Sequence, residues 1–218
     1  YLKNVYPQLG DNLIHGDFLK TDLSKFASEK IGVIGNFPYN ISSQIFFQVL
    51  KYRNQVDEVV GMIQKEVAER IAAGPGSKTY GILSVLLQAW YDIDYLFTVH
   101  ENVFNPPPKV KSAVIRMKRN DVSQLECDEK LFVTVVKQAF NYCWKLLRNS
   151  LRSLIPQEII LVVLFNKRPE QLSVMEFVEL TNRVEAALAE TKNWENKKGF
   201  NNLLKGERVG WKILKNWI

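Results

Sequence analysis

The chain has 218 residues, of which 46% are hydrophobic and 24% are charged, a composition that excludes a disordered tail, a collagen-like repeat and a disulfide scaffold. The net charge of +6 weakly favours phosphate or nucleic-acid partners, and seven of the basic residues lie after residue 185. The longest apolar run, residues 159–165, is far shorter than the ~20 residues of a transmembrane helix, so we expect no membrane segment. Cys127 and Cys143 show no metal-ligand spacing, so we expect no metal site. We expect a cytoplasmic protein.

Strand and helix signals alternate through the first half of the chain. Short apolar runs predict strands at residues 12–15, 31–34, 56–63, 95–99 and 113–117. Apolar residues at helical spacing predict helices at residues 45–50, 65–73 and 81–91. Ser42 or Ser43 is the candidate cap of the first of these helices. The alternation predicts a parallel or mostly parallel α/β sheet, with the last two strands forming an antiparallel hairpin at one edge.

The second half of the chain changes character near residue 127, where the signals become helical. Helices are predicted at residues 131–140, 145–154 and 173–188. We therefore expect an α/β domain over residues 1–120, a small all-helical domain over residues 121–185 and an unassigned basic segment over residues 186–218. The chain starts with Tyr1 in a stretch that reads as the end of a helix, so we expect it to lack its natural N-terminus.

The most informative string follows the second predicted strand and consists of Asn36, Phe37, Pro38 and Tyr39, which we call the NFPY turn. Ligands of open α/β sheets bind at the carboxyl ends of strands. The side-chain oxygen of Asn36 and the carbonyl oxygen of Pro38 can both accept hydrogen bonds from the exocyclic amine of an adenine. Tyr39 offers a ring on which an unstacked base can stack. An ordinary Asn-Pro turn at the end of a strand is the alternative interpretation.

Three longer strings surround this turn: GNFPYNISSQIF at residues 35–46, MIQKEVAERIAAGPGSKTYGILSVLLQAWY at 62–91 and VFNPPPKVKSAVIRM at 103–117. Through them the chain closely resembles the KsgA-type ribosomal RNA adenine dimethyltransferases, which have a Rossmann-like α/β domain and a small all-helical C-terminal domain. The resemblance implies transfer of methyl groups from S-adenosylmethionine to N6 of two adjacent adenosines near the 3′ end of 16S rRNA. It implies the immature small ribosomal subunit as the partner, and we expect the enzyme to be a monomer.

The resemblance also implies roles for individual residues. The catalytic positions are those of Asn36, Pro38, Tyr39 and Phe104, and the ring of Phe104 would help to sandwich the target base. The cofactor-binding positions are those of Asp17, Phe18 and Asn36. The positions that face the RNA are those of Lys65, Arg70, Lys109, Lys111, Lys145 and Arg148.

The chain departs from the family in three places. The glycine-rich cofactor loop of the family and its ribose-binding acidic residue would lie upstream of Tyr1, together with two strands and a helix. In the helical domain, an uncharged and two basic residues of the family are replaced by Tyr142, Cys143 and Trp144. Residues 188–218 match nothing in the family.

Two other functions stay open at this point. A chain without the cofactor loop could act as a non-catalytic rRNA-binding factor in ribosome assembly. An Erm-like methylase that acts on 23S rRNA is the second alternative, although residues 62–91 favour the KsgA type. On the bare sequence, Lys65 and Arg70 also fit a solvated helix face, because Glu69 and Glu66 lie four residues from them.

Overall fold

The structure, a computed structural model, describes residues 1–26, 30–141, 147 and 167–204, with side chains up to residue 189. The chain divides into two compact units, Tyr1–Gln124 and Leu125–Ile218. In the described part of the chain, we find no helix that is long and apolar enough to cross a membrane.

The described residues of the first unit form a four-stranded mixed sheet. Its strands are β1 (Ile31–Asn36), β2 (Val56–Gln64), β3 (Tyr91–Val99) and β4 (Ser112–Arg119), in the spatial order β1-β2-β4-β3. β2 pairs parallel with β1 and antiparallel with β4, and β3 pairs antiparallel with β4. Three strands therefore run in one direction and β4 runs in the other. This confirms the mostly parallel strand direction and the antiparallel hairpin at one edge.

Helices accompany the sheet, and two of them contact its strands. Within its described residues the first unit holds α1 (Leu2–Val5), α2 (Ser42–Lys51), α3 (Lys65–Ala72) and α4 (Ile82–Gln88). Short 3₁₀ turns lie at Pro7–Asn12, Phe18–Lys20, Leu23–Lys25 and Glu101–Val103. α2 buries Ile45, Phe46 and Val49, which share one face of the helix and so confirm the predicted amphipathic pattern.

The described part of the second unit is helical, as the sequence predicts. It holds α5 (Glu129–Phe140), a 3₁₀ turn (Pro169–Gln171) and α6 (Val174–Leu204). Asp128 caps α5, because its carboxylate accepts a hydrogen bond from the Leu131 N–H at 2.6 Å. The rings of Phe140 and Phe177 stack with 5.9 Å between their centroids, which joins α5 to α6. The predicted helix at 145–154, apart from residue 147, and the apolar run at 159–165 lie outside the described residues.

The predicted strand at residues 12–15 is wrong. The Leu13 N–H donates to the carbonyl oxygen of Gly10 at 3.3 Å, which closes a local turn, and Ile14 is 60% exposed. A strand needs a hydrogen-bonded neighbour, and β1 pairs with β2 alone among the described strands. An apolar pair without such a neighbour stays irregular.

The predicted cap of α2 is also wrong, and one boundary moves. Ile41 occupies the cap position, and Ser42 is the first helical residue. The Ser42 hydroxyl donates to the carbonyl oxygen of Tyr39 at 3.2 Å, so it holds the preceding turn rather than the helix. The helix predicted at 81–91 ends at Gln88, because Tyr91 already pairs with Arg119 as the first residue of β3.

Candidate active site

All four described strands of the first unit have one end at the same edge of the sheet. β1, β2 and β3 end at this edge, and β4 begins there with Ser112, which pairs with Gln64 of β2 and Val99 of β3. The NFPY turn leaves β1 there and α3 leaves β2 there. The proline loop, which we define as residues 104–111, leads into β4 from the same edge. This carboxyl edge is where open α/β sheets bind their ligands.

Phe37 holds the NFPY turn on the sheet. Its ring is buried and meets the ring of Phe46 edge-to-face at 5.9 Å, and its N–H donates to the Met62 carbonyl oxygen at 3.0 Å. The ring also lies over two glycines, since a Cβ added to Gly61 would stand 2.6 Å from it and one added to Gly35 would stand 3.0 Å away. Sequence analysis missed this contact between the Phe37 ring and the two glycines, although a glycine inside an apolar strand indicates that another group packs closely against the backbone.

Asn36 and Pro38 present oxygen atoms at the edge. Asn36 is the last residue of β1 and is exposed, and none of the side-chain hydrogen bonds in the described part of the chain uses its amide. The Pro38 carbonyl oxygen accepts one hydrogen bond, from the Ile41 N–H at 3.2 Å. A carbonyl oxygen has two lone pairs, so Pro38 keeps one for a further donor.

Tyr39 is held at both of its ends. Its carbonyl oxygen accepts the Ser42 hydroxyl at 3.2 Å, and its own hydroxyl is hydrogen-bonded to the hydroxyl of Ser112. Ser112 is fully buried at the start of β4, whereas Tyr39 is half-buried. The ring of Tyr39 is therefore fixed between the end of β1 and the start of β4, with part of it open to solvent.

The proline loop brings further predicted residues to this edge. Phe104 is half-buried, and its N–H donates to the Glu101 carbonyl oxygen at 3.2 Å. Lys109 and Lys111 are exposed, and no ion pair among the described residues involves either of them. The Lys111 carbonyl oxygen accepts the Lys65 N–H at 2.9 Å, which ties the proline loop to the start of α3.

The cations of α3 are already paired within the helix. The Lys65 ammonium binds the Glu69 carboxylate, and the hydrogen bond between them is the main reason that the pKa of Lys65 is raised. The Arg70 guanidinium lies 3.1 Å from the Glu66 carboxylate. The helix face of i,i+4 pairs is therefore present, and it neutralises two of the cations that were expected to face RNA.

Asp17 and Phe18 lie in a segment that contacts α2. The Asp17 carboxylate accepts the Leu19 N–H at 3.0 Å and lies 3.8 Å from the Lys20 ammonium. Further along, the Gln48 amide of α2 donates to the Thr21 carbonyl oxygen at 2.9 Å. The hydrogen bonds of this segment lead to its own backbone and to α2, whereas Tyr39 is bonded both to Ser42 of α2 and to Ser112 of β4.

The two remaining positions that were predicted to face RNA lie outside the described residues. Lys145 and Arg148, together with residues 142–144, are outside them. The structure groups no three His, Cys, Asp or Glu side chains into a possible metal site within its described ranges. Burial raises the pKa of the Cys127 thiol to about 11, which keeps this thiol protonated and unreactive near neutral pH.

Comparison with known protein families shows to which family this chain belongs. A profile described as ribosomal RNA adenine dimethylase matches residues 5–186. The chain belongs to this family. The ribosomal RNA small subunit methyltransferase A of Phocaeicola vulgatus is 63% identical to this chain over 191 residues, which are 86% of this chain and 68% of the relative. That of Flavobacterium johnsoniae is 56% identical over 188 residues, covering 85% and 72% of the two chains.

Solved structures confirm the fold class of this chain. A dimethyladenosine transferase from Plasmodium falciparum matches 82% of this chain and 75% of its own with a TM-score of 0.69 at 23% identity. The 23S rRNA methyltransferase ErmE matches 84% of this chain and 77% of its own with a TM-score of 0.58 at 22% identity. At these identities the likeness establishes the Rossmann-like methyltransferase fold and nothing further.

Proposed function

We propose that this protein transfers methyl groups from S-adenosylmethionine to N6 of two adjacent adenosines near the 3′ end of 16S rRNA. Its substrate would be the immature small ribosomal subunit in the cytoplasm, on which it would act as a monomer. The observation that carries the proposal is the NFPY turn, seated on the sheet by Phe37 with the Asn36 amide exposed at the carboxyl edge. The relatives named as small subunit methyltransferases support the choice of rRNA.

The chemistry follows from the nature of the adenine amine. Its lone pair is delocalised into the ring, so the free amine is a poor nucleophile. If the Asn36 side-chain oxygen and the Pro38 carbonyl oxygen each accept one of its N–H bonds, the nitrogen is oriented and favours a pyramidal, more nucleophilic geometry. Positioning of this kind supplies much of the rate of a two-substrate reaction, and it needs no acidic or basic side chain.

The residues present also fit part of a cofactor site. Asp17 has an exposed carboxylate and Asn36 an exposed amide, and both are acceptors of the kind that bind an adenine amine or an ammonium group. We assign to Asp17 and Phe18 the adenine of S-adenosylmethionine and to Asn36 the neighbourhood of its methionine part. When bound, this cofactor supplies a methyl group on a positively charged sulfur.

Stacking and phosphate contacts would complete the substrate site. Tyr39 and Phe104 would hold the extruded adenine between their rings, with base stacking worth about 1–3 kcal/mol for each ring. Lys109 and Lys111, which carry no ion pair among the described residues, would contact phosphates. Weaker contributions would come from the paired cations of α3, and Lys145 and Arg148 would dock the helical domain on the rRNA.

The experiment that tests this function offers the full-length protein two substrates, immature small and immature large ribosomal subunits. Radiolabelled S-adenosylmethionine reports transfer, and nuclease digestion of the rRNA identifies N6,N6-dimethyladenosine. We expect label only in 16S rRNA. Label in 23S rRNA would favour the Erm-like alternative, and binding to the small subunit without transfer would favour a non-catalytic assembly factor.

A further inference from the structure

The hydrogen bond between Tyr39 and Ser112 joins two motifs that stand far apart in the chain. Ser112 is one of only four buried polar residues in the described part of the chain, and its relative exposure is 0%. A buried hydroxyl without a partner is destabilising, and the partner of this one is the Tyr39 hydroxyl. The bond therefore connects the NFPY turn to the strand that follows the proline loop.

We propose that Ser112 is a positioning residue, which holds the ring of Tyr39 at the angle that stacking on the target adenine requires. This inference rests on the proposed function, because it takes Tyr39 as the stacking residue. Ser112 itself would touch neither RNA nor cofactor. It would act through Tyr39 alone, by restraining the far end of the ring.

Ser112 is suited to this task because its own backbone is fixed. It lies in β4 between two neighbouring strands, where it pairs with Gln64 on one side and with Val99 on the other. The carbonyl oxygen of the preceding residue, Lys111, accepts a hydrogen bond from the Lys65 N–H at 2.9 Å. A side chain anchored in this way holds its partner more firmly than a loop residue would.

The ring of Tyr39 needs such a restraint. The near end of the residue is held by the Ser42 hydroxyl on its carbonyl oxygen. Rotation about the bond between Cα and Cβ would nevertheless carry the ring and its hydroxyl from one staggered position to another. A hydrogen bond at the hydroxyl fixes the direction of the ring axis before the base arrives, and it thereby lowers the entropy that stacking has to offset.

A double-mutant cycle tests the inference in the full-length protein. Tyr39→Phe and Ser112→Ala remove the same hydrogen bond from its two ends, so we expect each to lower kcat/KM by roughly 2- to 10-fold, the range for one ordinary hydrogen bond. The double variant should be no slower than the slower single variant. Ser112→Thr keeps the hydroxyl and should restore most of the activity. Ser84→Ala is the matched control, because Ser84 is another fully buried, hydrogen-bonded serine and lies in α4.

A second readout separates this inference from the proposed function. A short RNA that carries 2-aminopurine at the target position loses fluorescence when the base stacks on an aromatic ring, whether or not methyl transfer follows. We expect less quenching with Tyr39→Phe, Ser112→Ala and the double variant, by the same amount in each, and unchanged quenching with Ser84→Ala. Additive effects, or a lower melting temperature with unchanged quenching and kcat/KM, would overturn the inference. Loss of the proposed function would show instead as a wild-type protein without methyl transfer to small subunits.

Discussion

The NFPY turn and the segment at residues 13–26 are held by different parts of the molecule. The turn is fixed by residues far along the chain: the Phe37 N–H reaches Met62, and the Tyr39 hydroxyl reaches a residue 73 positions away. In the other segment, the Asp17 and Asp22 carboxylates each accept a backbone N–H only two positions away. Among the described residues, the longer-range hydrogen bonds of this segment come from Gln48 and Tyr52 near the end of α2, so the two stretches differ in which elements hold them.

This difference shows where the molecule holds a group firmly. A reacting amine has to be placed within a fraction of an ångström, and such placement is more reliable on a sheet than on a loop. The NFPY turn obtains this support from Phe37 packed over Gly61 and from Tyr39 bonded to β4. Local caps shape the segment at residues 13–26, in which Leu23 is the only buried residue. We therefore expect substitutions in the two stretches to have different effects on the stability of the protein.

The largest expected difference in stability is between two phenylalanines, one in each stretch. Phe37 is buried and Phe26 is 48% exposed. We expect Phe37→Ala to lower the free energy of unfolding by about 3–5 kcal/mol, because it removes a large ring and leaves a cavity. Phe26→Ala should change it by about 0.5 kcal/mol or less. Urea unfolding of both variants measures the two values, and equal losses would contradict the contrast.

A pair of glycines sharpens the same comparison with a smaller expected effect. Gly61→Ala would place a Cβ 2.6 Å from the Phe37 ring, whereas the nearest atom to a Cβ on Gly32 lies 4.0 Å away. We expect Gly61→Ala to destabilise the protein by about 1–3 kcal/mol through overpacking. Gly32→Ala should be neutral or slightly stabilising, since glycine weakens a strand. If thermal melts show the same change for both variants, Phe37 is not seated as described.

The RNA affinity of the full-length protein provides a third contrast, between free and paired cations. We expect Lys109→Ala and Lys111→Ala each to reduce the slope of log affinity against log salt by about 0.7–0.9, the value for one phosphate contact. Lys65→Ala should reduce it by less, because Glu69 already neutralises this ammonium. Filter binding at four salt concentrations gives the slopes, and a Lys65 variant with the larger reduction would reverse the assignment.

The smallest expected effect is a pH dependence in the segment at residues 13–26. Hydrogen bonds from Ser24, followed by one from Tyr52, lower the pKa of Asp22 in the folded protein. Its contribution to stability is therefore present above the ordinary aspartate pKa of about 3.9 and is lost as the pH falls through the lower folded value. Asp22→Asn should therefore lower the stability slightly near neutral pH, and the difference from the unsubstituted protein should vanish as the pH falls through the folded pKa of Asp22. Urea titrations at several pH values measure it, and identical curves would exclude this role.

Sequence analysis predicts the parts of the candidate site that are short strings, and it misses the contacts that depend on strand order. Asn36, Pro38 and Tyr39 are recognisable as candidates because they lie within four consecutive residues. The bond of Tyr39 to Ser112 could not be predicted, because it requires β4 to lie beside β2 in the sheet. The wrong strand at residues 12–15 has a related cause, since an apolar run shows a tendency to be buried but does not supply a neighbouring strand.

The presence of each helix was predicted more accurately than its first and last residues. The apolar face of α2 followed from spacing alone, whereas its start did not, because the Ser42 hydroxyl is used by the Tyr39 carbonyl oxygen. Similarly, Trp90 and Tyr91 read as the continuation of α4, although Tyr91 begins β3. Side-chain competition and sheet pairing decide such boundaries, and neither is visible in a local window of sequence.

The most direct test of the central claim, that the NFPY turn orients the adenine amine, compares Asn36→Ala with Asn40→Ala in the full-length protein. Asn40 is exposed and directly follows the turn, so it is a matched control. Single-turnover methylation of immature small subunits gives the rate, and filter binding gives the Kd for rRNA. We expect Asn36→Ala to lower the rate on the order of 100-fold, as for loss of one preorganised hydrogen bond at a reacting group, while the Kd stays within about twofold. An unchanged rate for Asn36→Ala, or a loss in rate matched by an equal loss in affinity, would contradict the account.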